Sequence, residues 1–233
     1  PGQLNEPSDL AIGPDGTLYI VDGHINPDSN RRIVHLTAEG EFIEAWGEKG
    51  YGPLQFEGPH SLAVDSQGRI YVGDRTNNRL QVLSPEGELL AIWAHFGRPS
   101  GVRVHEDKLY VVDSESRAAE GQYGYNPGWH RGIYVGTLDG MITDFIPDPS
   151  PSGGTSFPEG IAVDGDSNVY VADTGNDRVQ VFSSDGTFLR KWGSQVGGDG
   201  QFRLPWEIAV DGLGRVYVAD TYNHRVQVFS SEG

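Results

Sequence analysis

Short apolar runs of four to seven residues, rich in Val, Ile, Tyr and Phe and bounded by Gly, Asp, Asn or Pro, recur along the whole chain. Aligning the chain on a proline at the head of such a run brings five segments into register: Pro7 to Ile12, Pro59 to Val64, Pro99 to Val104, Pro158 to Val163 and Pro205 to Val210. A tight turn such as Asp65-Ser66-Gln67-Gly68 follows, and then a second run that ends in aspartate. Those runs are Leu18 to Asp22, Ile70 to Asp74, Leu109 to Asp113, Val169 to Asp173 and Val216 to Asp220. A third run opens at an arginine (Arg32, Arg79, Arg131, Arg178, Arg225), and a fourth follows a Glu-Gly or Asp-Gly turn in three copies, as in Gly40 to Trp46. Runs of this length and composition, punctuated by turn residues, predict short antiparallel strands joined by tight turns.

The leading prolines are 52, 40, 59 and 47 residues apart, and the four-strand pattern returns as a unit. Four short strands per unit of that size fit a propeller blade better than a sandwich. The expected fold is an all-β propeller with five visible four-stranded repeats, at about 4–50, 51–96, 97–147, 155–195 and 199–233, in one domain. The fifth repeat supplies three strands, and only Pro1 to Glu6 precede the first. The expectation is therefore a five- or six-bladed ring whose last blade is incomplete, closed by the N-terminal residues or belonging to a longer chain. The aspartate ending strand two and the arginine opening strand three should face one another and fix each corner through a charge-assisted pair.

Composition narrows the function. The 33 glycines and 14 prolines sit at turn positions, so they punctuate structure rather than signal disorder. No run approaches the roughly 18 apolar residues of a membrane span. A net charge of −16 repels phosphate backbones and anionic lipid, so nucleic acid and membranes are disfavoured as partners. RNA binding fails on the same ground, with 17 basic residues against 33 acidic. There is no cysteine, which removes disulfides and thiolate metal sites. It leaves the compartment open, with a secreted or periplasmic location favoured over a cytoplasmic one. The remaining partner is a small-molecule or peptide ligand.

Strand one of a blade is innermost, so the residue after its proline should point to the mouth of the central channel. Those residues are Ser8, His60, Ser100, Glu159 and Trp206. The loops between strands two and three reach the same face, carrying His24, Arg75 and a long insert from Ser114 to His130. The insert holds Tyr123, Tyr125, Trp129 and His130, an aromatic wall or lid over the mouth. Ser100, Tyr125, Trp129, His130 and Trp206 are the candidate substrate contacts. His60 and Glu159 could together ligate a divalent ion that polarises a carbonyl or activates water, or His60 could simply hydrogen-bond to its neighbours. Arg75 could steady an anionic group or a developing alkoxide, and His24 could serve as acid or base; the plainer alternatives are a loop cation and a solvated turn histidine. His35, His95, His105 and His224 are expected to be structural or solvated.

The pattern resembles the NHL repeat, with Val181-Phe182-Ser183-Ser184-Asp185-Gly186, Lys191-Trp192-Gly193 and Gly198-Asp199-Gly200-Gln201-Phe202 typical of it. Within that group the chain from Leu4 to about Asp173 is similar to the peptidyl-hydroxyglycine amidating lyases and their bacterial relatives. The similarity rests on Asn5-Glu6-Pro7-Ser8-Asp9, Val21-Asp22-Gly23-His24, Gly58-Pro59-His60-Ser61-Leu62-Ala63, Gly73-Asp74-Arg75, Phe96-Gly97-Arg98-Pro99-Ser100-Gly101 and Asn126-Pro127-Gly128-Trp129. The resemblance implies a zinc ion held by three channel histidines, an active-site arginine and tyrosine that help break a C–N bond, and structural calcium. On it, His60 matches a zinc histidine and Arg75 the arginine. His24 stands in the tyrosine's place and Glu159 where a second zinc histidine belongs, while the third would fall in blades before Pro1. Two functions are therefore expected: an amidating-lyase-like enzyme using a divalent metal (zinc) at the mouth, or a non-catalytic scaffold for a peptide, glycan or protein.

Overall fold

The computed structural model describes residues 3–148 and 157–233. Blade one is β1 (Pro7–Ile12), β2 (Leu18–Asp22), β3 (Arg32–Leu36) and β4 (Phe42–Trp46), paired antiparallel in chain order. Two two-residue strands, β5 (Glu48–Lys49) and β6 (Gln55–Phe56), pair in parallel on the way to blade two. Blade two is β7 (Pro59–Val64), β8 (Ile70–Asp74), β9 (Arg79–Leu83) and β10 (Leu89–Trp93). Blade three is β11 (Pro99–His105), β12 (Lys108–Asp113), β13 (Gly132–Thr137) and β14 (Ile142–Pro147). Blade four is β15 (Pro158–Val163), β16 (Val169–Asp173), β17 (Arg178–Phe182) and β18 (Phe188–Trp192). Blade five has three strands among the described residues, β19 (Pro205–Val210), β20 (Val216–Asp220) and β21 (Arg225–Phe229).

The innermost strands follow one another around the channel: β1 lies against β7, β7 against β11, β11 against β15, and β15 against β19. Period-two alternation explains the stacking, because each sheet presents one apolar row to the blade on either side. Tyr19, Val21 and Ile33 of blade one meet Leu62, Ile70, Val72 and Leu83 of blade two. Ala162, Tyr170, Val179 and Val181 of blade four meet Ile208, Val216 and Val218 of blade five in the same way. The outer flanks of blades one and five lack such a cover among the described residues. Leu10 is 47% exposed where its equivalent Leu62 is 0%, and Val226 is 64% exposed where Val179 is 0%.

The corner pairs form in four blades: Arg32 Nε donates to Asp22 at 2.8 Å, Arg79 to Asp74 at 2.9 Å, Arg178 to Asp173 at 2.6 Å and Arg225 to Asp220 at 2.8 Å. Blade three departs from the expectation. There β13 begins at Gly132, Asp113 accepts from Ser116 and from the Arg98 and Glu115 amides, and Arg131 pairs with Asp148 at 3.6 Å. The insert that follows Asp113 supplies local donors, so the aspartate needs no arginine. In blades two, four and five the strand-two aspartate runs into a single 3-10 turn, closed by a left-handed residue at Asn78, Asp177 or His224.

Candidate functional site at the channel mouth

Every innermost strand carries the same irregularity at its start. The pairing register shifts between Pro7 and Asp9, Pro59 and Ser61, Pro99 and Gly101, Pro158 and Ile161, and Pro205 and Glu207. A β-bulge leaves its extra residue out of the ladder and re-aims the side chain. The residue after each leading proline is that extra residue. Four of them, Ser8, His60, Glu159 and Trp206, line one cavity of about 520 Å³ at the mouth.

Arg75 reaches the same cavity as the first residue of the 3-10 turn after β8, its backbone N–H bound to the Gly58 carbonyl at 3.0 Å. His24 follows Gly23, whose φ of +148° and close approach to the Arg31 amide leave no room for a side chain. Glu115 enters from the first residues of the insert and pairs with both Arg75 (3.6 Å) and Arg98 (3.0 Å). Ile25, Tyr123, Phe157 and Trp206 provide an apolar wall.

The polar wall has defined protonation. His60 Nδ1 lies 2.7 Å from the Ser100 carbonyl oxygen, which can only accept, so Nδ1 carries the proton and Nε2 keeps its lone pair. Burial holds His60 well below the ordinary histidine range, with Arg75 and His24 adding to the effect. Arg75 Nη2 donates to His24 Nε2 at 3.1 Å, and burial followed by that guanidinium lowers His24 too. The two imidazoles stand 5.0 Å apart. Burial pushes the Glu159 carboxyl up to about 8, against the pull of Arg75. Its Oε2 sits 3.9 Å from Arg75 Nη1 and 4.0 Å from His60 Nε2, too far for a hydrogen bond, and has no partner. Those long contacts do not offset the loss of water, so the acid form prevails at neutral pH.

Ser100 serves the site through its carbonyl, which holds His60, and its hydroxyl, bonded to Ser114, also acts on the Glu159 carboxyl in favour of its ionised form. Other expected residues lie elsewhere. Trp129 packs edge-on against Tyr134, at 5.6 Å, and lines a separate shallow depression with His130; neither lines the mouth cavity. Tyr125 is also outside it, and Tyr123 takes its place with its ring 5.3 Å from the Arg98 guanidinium. Beneath the mouth, Arg103 of β11 spans the channel, donating to Asp9 of β1 at 3.3 Å and to Glu207 of β19 at 3.0 Å. Burial raises the Glu207 carboxyl, with Arg103 opposing it.

The zinc implied by the resemblance does not fit the donors present. His60 Nε2 and Glu159 offer two ligands, but the His24 nitrogen facing them is taken by Arg75, whose own positive charge lies 3.9 Å from the Glu159 oxygen. Among the described residues no three or more His, Cys, Asp or Glu side chains are arranged so that they could hold a metal ion, and the other residues include none of these types. On the axis, the carboxylates of Asp9 and Glu207 are both engaged by Arg103.

Fold and repeat together define an NHL-repeat β-propeller: the NHL repeat pattern matches residues 56–83, 155–182 and 202–229. The chain is homologous to the peptidyl-glycine α-amidating monooxygenases, being 33% identical to peptidyl-glycine alpha-amidating monooxygenase A of Xenopus laevis over 196 residues, 76% of this chain and 19% of that protein. Human NHL repeat-containing protein 3 is 37% identical over 116 residues, 48% of this chain and 33% of that protein. The chain thus spans a third or less of these two relatives. A solved gluconolactonase from Xanthomonas campestris shares the fold with a TM-score of 0.69 at 19% identity, covering 100% of this chain and 75% of that one.

Proposed function

We propose that the mouth cavity is an acid–base catalytic site of the amidating-lyase type, acting on a small polar or peptide-derived substrate. The observation that carries the reading is the placement of His60 Nε2, left with its lone pair because Nδ1 donates to the Ser100 carbonyl, 4.0 Å from Oε2 of Glu159, a carboxyl that burial pushes up to about 8. Two titratable groups driven in opposite directions by their surroundings are the arrangement that supplies a base and an acid at one pH.

On an N-acyl carbinolamide the chemistry balances. His60 Nε2 takes the hydroxyl proton, the oxygen's electron pair forms a carbonyl, the C–N bond breaks, and Glu159 gives its proton to the departing amide nitrogen. Arg75 stabilises the negative charge that develops on the oxygen. His24, held by Arg75, orients that guanidinium, and no step calls on a metal.

The test is turnover of N-benzoyl-α-hydroxyglycine and its amide by the purified protein. His60→Ala and Glu159→Gln should each lower turnover by roughly 10²–10⁴-fold, the usual contribution of a positioned acid or base. Undiminished turnover in either variant, or stoichiometric zinc lost together with activity on chelation, would overturn the metal-free route. No turnover of either compound, with unchanged ligand binding in both variants, would favour the scaffold reading.

A further inference from the structure

The cavity has two chemically different walls, and every guanidinium around it is already engaged. Arg75 donates to His24 and faces Glu115, Arg98 meets Glu115, and Arg103 meets Asp9 and Glu207. The Arg75 Nε has no partner, but it is closed off from solvent and from the cavity. Against that single lining cation stand the carboxyl groups of Glu6, Glu115 and Glu207, with the acid form of Glu159 beside them. An entering carboxylate would lose its water and gain no free positive charge. The opposite wall offers Trp206, 42% exposed and packed edge-on against Tyr222 at 6.4 Å, together with Phe157 and Ile25. An exposed tryptophan beside a buried polar cluster presents a flat apolar face to whatever reaches the cluster. A volume of about 520 Å³ admits a small molecule or one end of a peptide.

From these two walls we infer that the site selects substrates that are uncharged at the reacting end and carry an aromatic or bulky apolar group beside it: an amide, ester or lactone rather than a free carboxylate. This rests on the mouth being the substrate site and specifies what enters it. The aromatic group lies on Trp206. The uncharged end turns its carbonyl to the Glu159 hydroxyl, which donates a hydrogen bond to the oxygen. Glu115 enforces the choice by occupying Arg75, which a carboxylate would otherwise pair with.

The experiment is calorimetric titration of the full chain at pH 7 with N-acetyl-phenylalaninamide and, separately, with N-acetyl-phenylalanine. Neither probe carries a carbinol, so the readout is independent of whether the proposed elimination occurs. The amide should bind at least tenfold tighter than the acid. Trp206→Ala should weaken amide binding about five- to tenfold, with Trp206→Phe restoring most of it. Glu115→Gln should narrow the gap between amide and acid by strengthening the acid. Equal or tighter binding of the acid by the unaltered chain, no binding of either probe, or a gap unchanged by Glu115→Gln would each overturn the inference. If the amide preference holds while α-hydroxyglycine compounds are not turned over, the selectivity stands and the reaction assigned to the site fails.

Discussion

Replacing Glu159 by glutamine should make the protein more stable in alkali and leave it nearly unchanged in weak acid. The glutamine keeps the shape of the acid form and cannot ionise. In the native chain the carboxyl is pushed from its ordinary 4.5 up to about 8, chiefly by burial. As pH rises from 4.5, the unfolded chain releases this proton while the folded chain holds it until about pH 8, so native stability falls across that window. At about 1.4 kcal/mol per pH unit the interval corresponds to a ceiling of about 5 kcal/mol. The side chain keeps 12% of its surface open to the cavity, so water moderates the cost and about 2–5 kcal/mol is expected. His60 acts in the opposite direction. Its pKa is depressed, so its contribution is present above 6.5 and is lost as pH falls. Urea unfolding followed by tryptophan fluorescence, at pH 5, 7 and 8.5, separates the two. The native chain and Glu159→Gln should nearly coincide at pH 5 and diverge at pH 8.5 with the variant more stable. A constant difference at all three values, within about 0.5 kcal/mol, refutes the claim that the carboxyl is held neutral.

Two further substitutions probe how the frame is held. Arg103→Met leaves Asp9 and Glu207 facing each other across the channel without their shared donor; it should cost about 1–3 kcal/mol in urea unfolding at pH 8, shrinking as pH falls through about 7, where the buried Glu207 carboxyl takes up its proton. Asp173→Ala removes the acceptor shared by Asn176, Arg178 and Gln180, and should cost about 2–4 kcal/mol, whereas the same change at surface Asp166 should stay within about 0.5 kcal/mol.

Much of the propeller is legible in the chain because period-two alternation, a leading proline and a terminal aspartate coincide in every copy. The first and second strands of all five blades appear where those signals place them, with β11 and β12 one residue longer each. What escapes is decided by tertiary contact. Arg131 fails to open β13 because the insert satisfies Asp113 from its own backbone, something no local pattern encodes. At the site, position in the repeat identifies His60, Glu159 and Trp206, since a residue out of register at a fixed place must point one way. It misleads in the insert, where Tyr123 faces the cavity and Tyr125 does not. Glu115 carries no motif at all. Arg103 does leave a trace: it stands where the other copies have Ala11, Ala63, Ala162 and Ala209, while Asp9 and Glu207 share the third position of their strands.

The repeated register shift behind each leading proline has a consequence for how such a protein acquires new chemistry. A residue excluded from the ladder makes no cross-strand pair, so its side chain is spared the pairing demands that govern its neighbours on either side. Four such positions open on one cavity, here filled by serine, histidine, glutamate and tryptophan on a common backbone. A single codon change at any of them rewrites the reagent without redesigning the frame. The scaffold and its tools are inherited separately, and the tools are the part that can be swapped.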